Sequence, residues 1–536
     1  MWYLLSANTT FAYTHADTLR GSNGTSRKWW DVIKYDLSVR ILPDEKRIIG
    51  TNEITFKIVS IPSDSMQIDL QDSMQISQAI IHYPHTDNRT YLSHQGNVWW
   101  VRYSYRKLKI GETYRLTVSY SGKPRSAIHP PWDGGFIWGK DSVGKPWISV
   151  ACQGLGASSW WPCKDAQWDE PDSGMSMKIT IPDTLSCISN GHLVNKTKDS
   201  GDAYTWVWQV KNPINSYDVT FYIGDYVHWS DTYKGEKGDL PLDFYALRYN
   251  ESKARKQFEE VKPMLHCFEY WLGPYPFYED GYKLVEAPYL GMEHQSAVAY
   301  GNEYKMGYLG MDRSATGVEL LFDFIIVHES GHEWFGNSIT TRDIADNWIH
   351  EGITTYTESL YAECLFGKKK AFEYTRGQWH NIRNDKPVIG EYRVNNEGSG
   401  DEYDKGAALV HTIRMMMGND KKFRKLLHGL NDSFYHKTVT TQQVELYISS
   451  FAGIDLKPVF DQYLRTTDIP ELEYYVKDNK LHFHFNHVVE GFSLPLEATS
   501  GNKTARIRPT AQWQERSWKG GFDISFSKDF LITVKS

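Results

Sequence analysis

The sequence lacks long apolar runs, has few cysteines and shows no excess of basic residues. Its 536 residues contain no stretch of 18 apolar residues, so no transmembrane helix is expected. The five cysteines are too few and too scattered for a disulfide framework, and no CxxC pair indicates a thiolate zinc site or a thioredoxin-like centre. Lysine and arginine (59) do not outnumber aspartate and glutamate (66), so no nucleic-acid partner or anionic membrane surface is expected.

Apolar side chains, in contrast, are plentiful. Hydrophobic residues make up 40% and aromatic residues 14% of the chain, which is enough to bury several cores and excludes wholesale disorder. At roughly 150 residues per domain, the length predicts three or four domains.

The N-terminus permits two interpretations. Residues 1–12 lack a basic region, but their end, Thr10-Phe11-Ala12, resembles the small-residue end of a secretory signal. Residues 1–28 are therefore either a flexible terminus or a signal remnant. The second interpretation slightly favours a secreted or periplasmic location over a cytoplasmic one.

The spacing of apolar residues divides the chain into a β part, a helical part and a second β part. Alternating apolar residues predict half-buried strands, and apolar residues that recur every three or four positions predict amphipathic helices. Strands are predicted at 35–41, 54–58, 114–120, 481–485 and 522–526, and helices at 254–271, 316–336, 347–366 and 406–417. The dense apolar run at 320–327 predicts a buried helix. The predicted domains are 29–234, 235–468 and 469–536.

The strongest chemical signal is the segment His328-Glu329-Ser330-Gly331-His332. Histidines four residues apart lie on one face of a helix, so both imidazoles can reach one Zn²⁺ at about 2.0–2.1 Å. Glu329 is rotated by about 100° from His328 and can act as general base on a metal-bound water. The alternative is a buried helix without a metal, which is disfavoured because these polar side chains are costly to bury without partners.

A third metal ligand, Glu351, is predicted near the start of the next helix, with eighteen residues between it and His332. Two histidines and a glutamate leave the fourth position of a tetrahedral zinc open for water, which is the catalytic pattern. A zinc protease with a third histidine is excluded, because Phe335 and Ser338 occupy the positions of its glycine and histidine. Glu358, two turns after Glu351, either orients a ligand or is an ordinary helical carboxylate.

These residues resemble the gluzincin zinc aminopeptidases of the aminopeptidase N type, a family that includes leukotriene A hydrolases. The resemblance covers roughly residues 30–468 and continues more weakly to the C-terminus. A second motif, Leu290-Gly291-Met292-Glu293-His294, resembles the family signature Gly-x-Met-Glu-Asn. This implies that Glu293 binds the free α-amine of the substrate, with Gly291 and Met292 beside it. An α-amine has a pKa of about 7.7–8.0, so it is mostly cationic at neutral pH and suits a carboxylate partner.

Two positions of this motif depart from the family pattern. Leu290 stands where the family usually has glycine, and His294 stands where it has asparagine. Backbone contacts to the substrate can survive both changes. The sequence does not determine the shape of the pocket that receives the first side chain of the substrate. We also expect His294 to add positive charge at low pH.

Two weaker matches add further candidates. The segment Tyr403-Asp404-Lys405-Gly406 resembles the family's Tyr-x-x-Gly segment, which implies that Tyr403 stabilises the oxyanion as a neutral donor. Gln153, which follows Cys152, is similar to the residue of the N-terminal domain that assists amine binding. The alternative for Gln153 is an ordinary turn residue beside Gly154.

The resemblance implies a multidomain α+β fold and a zinc-dependent aminopeptidase. The N-terminal β domain would be a sandwich or saddle, the catalytic domain thermolysin-like and mainly helical, and the C-terminal domain a small β-sandwich. One Zn²⁺ per chain would be held by His328, His332 and Glu351, and peptides with a free N-terminus would be the substrates. Longer members carry a further helical domain, so we expect a more open cleft here. Two alternatives stay open: a thermolysin-like endopeptidase, which has no use for Glu293, and a catalytically silent peptide-binding relative.

Overall fold

The structure is a computed structural model that describes residues 13–104, 107–199 and 201–536. The signal-like residues 1–12 lie outside this range. Within the described part of the chain, no helix is long and apolar enough to cross a membrane. The predicted order of a β part, a mainly helical part and a second β part is confirmed, while the domain limits stay predictions.

The first part consists of strands around one buried core. Its elements are α1 (His15–Gly21), β1 (Trp30–Leu42), β2 (Arg47–Ile58), β3 (Ser65–Asp69), β4 (Met74–Tyr83), β5 (Thr86–Arg89), β6 (Tyr91–Gln95), β7 (Val98–Arg102), β8 (Thr113–Gly122), β9 (Gly135–Lys140), β10 (Pro146–Ala151), β11 (Met175–Pro182), β12 (Ser186–Ser189), β13 (His192–Lys198), β14 (Ala203–Val210) and β15 (Phe221–Gly224). The large sheet has the order β13-β14-β11-β1-β2-β8-β4-β5, and the smaller sheets β12-β15-β10-β9 and β3-β7-β6 share its core. Alternate residues of β1 are buried there, as the period of two predicts.

The middle part combines a sheet with helices. Its elements are β16 (Tyr226–Gly235), β17 (Gly238–Leu247), α2 (Glu251–Gln257), α3 (Val261–Leu272), β18 (Tyr282–Glu286), β19 (Gly291–Met292), β20 (Val298–Tyr300), α4 (Phe324–Gly331), β21 (Ile339–Thr341), α5 (Trp348–Phe366), α6 (Lys368–Gln378), α7 (Asp404–Met417), α8 (Asp420–Ser433), β22 (Lys437–Val439), α9 (Thr441–Ala452) and α10 (Lys457–Arg465). The sheet has the order β16-β17-β18-β20-β19, so β19 lies at its edge. The predicted boundary after residue 234 falls one residue before the end of β16, next to the turn into β17.

The zinc-motif helix is shorter than the predicted span of 316–336. Asp323 accepts two backbone N–H groups of the following turn at 3.1 and 3.3 Å, and this cap starts α4 at Phe324. Leu320 and Leu321 precede the cap in a 3₁₀ turn, and each is 41% exposed. The prediction of a buried helix is therefore wrong for these first residues of the run.

The structure contains a disulfide that the spacing of the cysteines in the sequence does not indicate. Cys267 on α3 and Cys364 near the end of α5 form a disulfide across a separation of 97 residues. Cys152, Cys163 and Cys187 are free and buried. No disulfide framework was expected, and one pair is joined because the fold places two distant helices side by side.

The last part is a pair of small sheets against the helical core. Its strands are β23 (Glu471–Lys477), β24 (Lys480–Asn486), β25 (Leu496–Ser500), β26 (Lys503–Ile507), β27 (Gln514–Ser517), β28 (Ser525–Phe526) and β29 (Thr533–Lys535), ordered β27-β24-β23-β29 and β26-β25-β28. The predicted strand at 481–485 is confirmed in β24. The predicted strand at 522–526 is mostly wrong, because Phe522 is 80% exposed and pairing is limited to β28.

Candidate active site

Three electron-rich atoms from α4 and α5 converge in the middle part. Nε2 of His328 lies 3.3 Å from Nε2 of His332, and Oε2 of Glu351 lies 3.6 and 3.2 Å from these two nitrogens. Ligand atoms about 2.0–2.1 Å from a tetrahedral zinc stand about 3.3 Å apart. All three side chains are buried, and the triangle that they form has the size of a zinc site.

Hydrogen bonds on the outer side of each imidazole orient its lone pair. Nδ1 of His328 donates to Oε1 of Glu358 at 2.7 Å, and Nδ1 of His332 donates to the carbonyl oxygen of Phe335 at 3.0 Å. In their neutral form both rings turn an unprotonated Nε2 toward Oε2 of Glu351, a buried atom without a hydrogen-bond partner. A cation between these three lone pairs would satisfy all of them, so the residues fit Zn²⁺.

Glu358 lies on the outer side of the His328 ring, away from Glu351. Its Oε2 accepts hydrogen bonds from the Tyr374 hydroxyl at 2.6 Å and from Nε2 of Gln378 at 2.9 Å. These donors fix the carboxylate as the acceptor for His328. The contact favours the interpretation that Glu358 orients a metal ligand over that of an ordinary helical carboxylate.

Two glycines explain how α7 reaches the metal site. A Cβ on Gly406 of α7 would lie only 2.8 Å from the Cα of Gly352 on α5, so the two helices can cross closely only with glycine there. Because α7 starts directly after Tyr403, this crossing brings the phenol ring to 6.0 Å from the His328 ring. Burial, together with Glu351, raises the pKa of Tyr403 far above its ordinary value. The hydroxyl therefore stays protonated and can donate.

Glu293 lies beside the candidate metal ligands and is connected to one of them, Glu351, by Gln153. Nε2 of Gln153 donates to Oε1 of Glu293 at 2.9 Å and to Oε1 of Glu351 at 3.0 Å. The Tyr217 hydroxyl donates to the same oxygen of Glu293 at 3.3 Å, and Nδ2 of Asn337 donates to its backbone carbonyl at 2.7 Å. Gln153 is thus more than a turn residue. Tyr217 and Asn337 belong to no motif that we recognised and were missed.

Glu329 lies against the edge strand β19. A Cβ on Gly291 would be 2.4 Å from Oε1 of Glu329, so only glycine allows the strand to approach this carboxylate so closely. Burial raises the pKa of Glu329 to about 7. Ligand atoms of Glu293, Glu329 and His332 all lie within 4.8 Å of one another. The carboxylate of Glu329 is therefore close to both His332 and Glu293.

The predicted site residues meet in one cavity of about 340 Å³. The lining includes all nine of them: Gln153, Gly291, Met292, Glu293, His328, Glu329, His332, Glu351 and Tyr403. It also includes residues that the sequence analysis did not mark, among them Pro131, Trp132, Tyr308, Arg313 and Phe324. Those residues lie outside the motifs, and no local spacing signals their convergence.

His294 differs from its expected behaviour. The side chain is fully buried and its Nδ1 lies 2.8 Å from the Tyr222 hydroxyl, while Leu290 lines the cavity. Burial lowers the pKa of His294 to about 3. The expectation that it adds positive charge at low pH is therefore wrong for all but strongly acidic solutions.

Comparison with solved structures shows the fold. A mutant of an M1 zinc metallopeptidase from Deinococcus radiodurans, crystallised with a Tyr-Ser-Ala substrate, aligns with a TM-score of 0.67 and 20% identity, covering 83% of this chain and 96% of that one. A second crystal structure of an M1 zinc metallopeptidase from the same organism aligns with a TM-score of 0.66 over 83% and 95% of the two chains, also at 20% identity. The predicted fold class is confirmed.

Two curated relatives are similar in sequence. Leukotriene A-4 hydrolase of Xenopus laevis is 23% identical over 325 residues, which are 57% of this chain and 50% of the relative. Aminopeptidase B of Mus musculus is 24% identical over 350 residues, which are 61% of this chain and 50% of the relative. The chain spans about half the length of these two proteins.

Family profiles match both larger parts of the chain. Residues 32–217 match the Peptidase M1 N-terminal domain, and residues 257–463 match the Peptidase family M1 domain. Together with the geometry of the His-His-Glu triad, these matches confirm the predicted zinc cofactor. Both characteristic domains follow one another in this sequence, and the chain belongs to peptidase family M1.

Proposed function

We propose that this protein is a zinc aminopeptidase that releases the N-terminal residue of peptides with a free α-amine. The observation that carries the proposal is the position of Glu293. Its carboxylate is 2% exposed and hydrogen-bonded through Gln153 to the metal ligand Glu351. An acidic group so close to the metal leaves room for one residue before the scissile bond.

The charges of the cavity support a cationic substrate group. Glu293, Glu329 and Glu351 converge there, and the lining as a whole holds more carboxylates than cationic side chains. An ammonium group next to Glu293 would therefore find a negative partner, and charge-assisted hydrogen bonds to it are the stronger kind. A blocked N-terminus provides no such charge.

The residues divide the reaction among them. When bound, zinc lowers the pKa of a water molecule and polarises the scissile carbonyl. Glu329 takes the proton of that water and passes it to the leaving amine. Tyr403 donates a hydrogen bond to the carbonyl oxygen as it becomes negative. Glu293 and Gln153 hold the α-amine, which fixes the first peptide bond at the metal.

Two alternatives fit the site less well. A thermolysin-like endopeptidase would bind peptide on both sides of the metal, and the buried carboxylate of Glu293 would close one of those sides. A silent peptide-binding relative would not need Glu329 beside an intact triad. The Deinococcus radiodurans neighbour was crystallised with a tripeptide, and a peptide substrate with a free amine is in line with our proposal.

The test compares Glu293→Gln with the unchanged protein on a free peptide and on its N-acetylated form. We expect kcat/KM on the free peptide to fall by about 10- to 100-fold, the usual effect of losing a hydrogen bond to a charged group. Cleavage of the acetylated peptide should start low and change little. Glu303→Gln, at an exposed position, is the matched control. Equal losses on both peptides, or efficient internal cleavage, would contradict the proposal.

A further inference from the structure

One cationic side chain lines the cavity and has no part in the mechanism above. Arg313 is the one lysine or arginine among the lining residues in the part of the chain that the structure describes. It lies in a loop before α4, outside both motifs. A single arginine in a cavity lined by several carboxylates requires an explanation.

The guanidinium of Arg313 is held firmly in place. Its Nε donates to Oε1 of Glu319 at 3.0 Å, and its backbone N–H donates to the other oxygen of that fully buried carboxylate. The guanidinium carbon lies 4.0 Å from the centre of the Phe324 ring and 4.8 Å from that of Tyr308. Stacking on aromatic faces fixes an arginine without using its terminal nitrogens.

These terminal nitrogens remain available. Neither has a hydrogen-bond partner among the described residues, and the side chain is 36% exposed toward the cavity. Three carboxylates lie near it. Glu319 is bonded to Nε of the same arginine and Glu358 to His328, while Asp404, which lines the same cavity, makes no hydrogen bond to the guanidinium. The two outer N–H groups form the planar fork that binds a carboxylate through two parallel bonds.

Arg313 lies on the side of the metal site where the leaving part of the substrate, after the scissile bond, would bind. Glu293 lies beside His332, whereas Phe324 stacks on His328 with ring centres 5.1 Å apart. The metal site therefore lies between the amine anchor and Arg313. A residue of extended chain spans about 3.3–3.6 Å, so the guanidinium is within about three residues of the metal.

We propose that Arg313 is a specificity-determining residue that binds a carboxylate carried by the leaving part of the substrate. Two sources share this chemistry: the C-terminus of a di- or tripeptide, and an acidic side chain directly after the scissile bond. The inference rests on the proposed aminopeptidase function, because that function defines which side leaves.

The test measures binding without turnover. Peptide binding is titrated calorimetrically to the zinc-loaded Glu329→Gln protein, with and without Arg313→Met. The ligands are Leu-Ala and Leu-Ala-amide for the C-terminal source, and Leu-Glu-amide and Leu-Gln-amide for the side-chain source. We expect the protein with Arg313 to prefer the carboxylate member of at least one pair by about 10- to 100-fold, and Arg313→Met to abolish that preference.

Controls separate recognition from folding. Arg424→Met removes another arginine that stacks on an aromatic ring, Tyr270, outside the cavity, and should keep the preference. Arg313→Lys retains the charge and should keep part of it. If Arg313→Met folds poorly because Glu319 is left unpaired, the double variant Arg313→Met/Glu319→Gln is used in its place, because it removes both charges.

The outcomes are distinguishable. A preference that is the same with and without Arg313, or no preference in either pair, would overturn the inference. The pair that responds identifies the source of the carboxylate. If the unmodified protein cleaves none of these peptides while the Arg313-dependent preference persists, the proposed function fails and the carboxylate site stands.

Discussion

The metal end and the amine end of the cavity are built in different ways. At the metal end, His328 lies on α4, His332 caps the same helix and Glu351 lies on the next helix, α5. Helical spacing aligns the two histidines. At the amine end, Glu293 follows an edge strand of the middle part, and Gln153 follows β10 of the N-terminal β part. The first assembly is nearly local, whereas the second exists only because two parts of the chain meet. The two ends should therefore fail separately when they are mutated.

The largest effect should come from removing a metal ligand. His332→Ala should lose stoichiometric zinc and with it all measurable peptidase activity, because two remaining ligands hold the metal poorly. Zinc per chain by atomic absorption, measured alongside turnover, checks this. His428→Ala, on α8 with its Nε2 bound to the carbonyl oxygen of Tyr270, is the control. Full zinc content in His332→Ala would refute the triad.

The next largest effect concerns catalysis without metal loss. Glu329→Gln should retain zinc and lose about 10²- to 10⁴-fold in kcat, the range for removing a general base. Its KM should change little, because Glu293 and Gln153 remain. Near-normal turnover in a zinc-loaded variant would remove the assignment of Glu329 as the base.

A smaller effect, on zinc affinity, is expected from a change at Glu358, the hydrogen-bond partner of His328. Glu358→Gln should weaken zinc binding by about 10- to 100-fold, because the imidazole of His328 loses its charged partner. Competition with a chelator of known affinity measures the change. At saturating zinc the variant should regain most of its activity, and unchanged metal affinity would make Glu358 an ordinary helical carboxylate.

The smallest effect should come from Gln153, whose side chain connects Glu293 at the amine end to Glu351 at the metal end. Gln153→Leu should keep its zinc and raise KM for free-amine peptides by about tenfold, since it removes one hydrogen bond to each of two carboxylates. Gln167→Leu is the matched control, because Gln167 also bonds across to the helical part, at Thr341, without touching Glu293. A loss of zinc in Gln153→Leu, rather than of amine binding, would show that the two ends are not separable.

Much of the fold was predictable because its signals are local. The period of two residues located β1, since this strand buries one face. The helix α5 was also located, although all of its residues from Trp348 to Ala362 are buried. The start of α4 was misplaced, because the Asp323 cap outweighs the apolar Leu320 and Leu321. The disulfide between Cys267 and Cys364 could not be foreseen, as no sequence pattern records that α3 and α5 are neighbours.

The sequence by itself determined the metal chemistry of this protein. A helix fixes which side chains share a face, so the spacing of His328, Glu329 and His332 already specifies a site for one ion and one base. Only the tertiary structure decided what surrounds that ion. Gln153 reaches Glu293 across two parts of the chain, and Arg313 reaches the opposite end from a loop. Contacts between distant segments depend on the packing of whole elements, which no local period encodes.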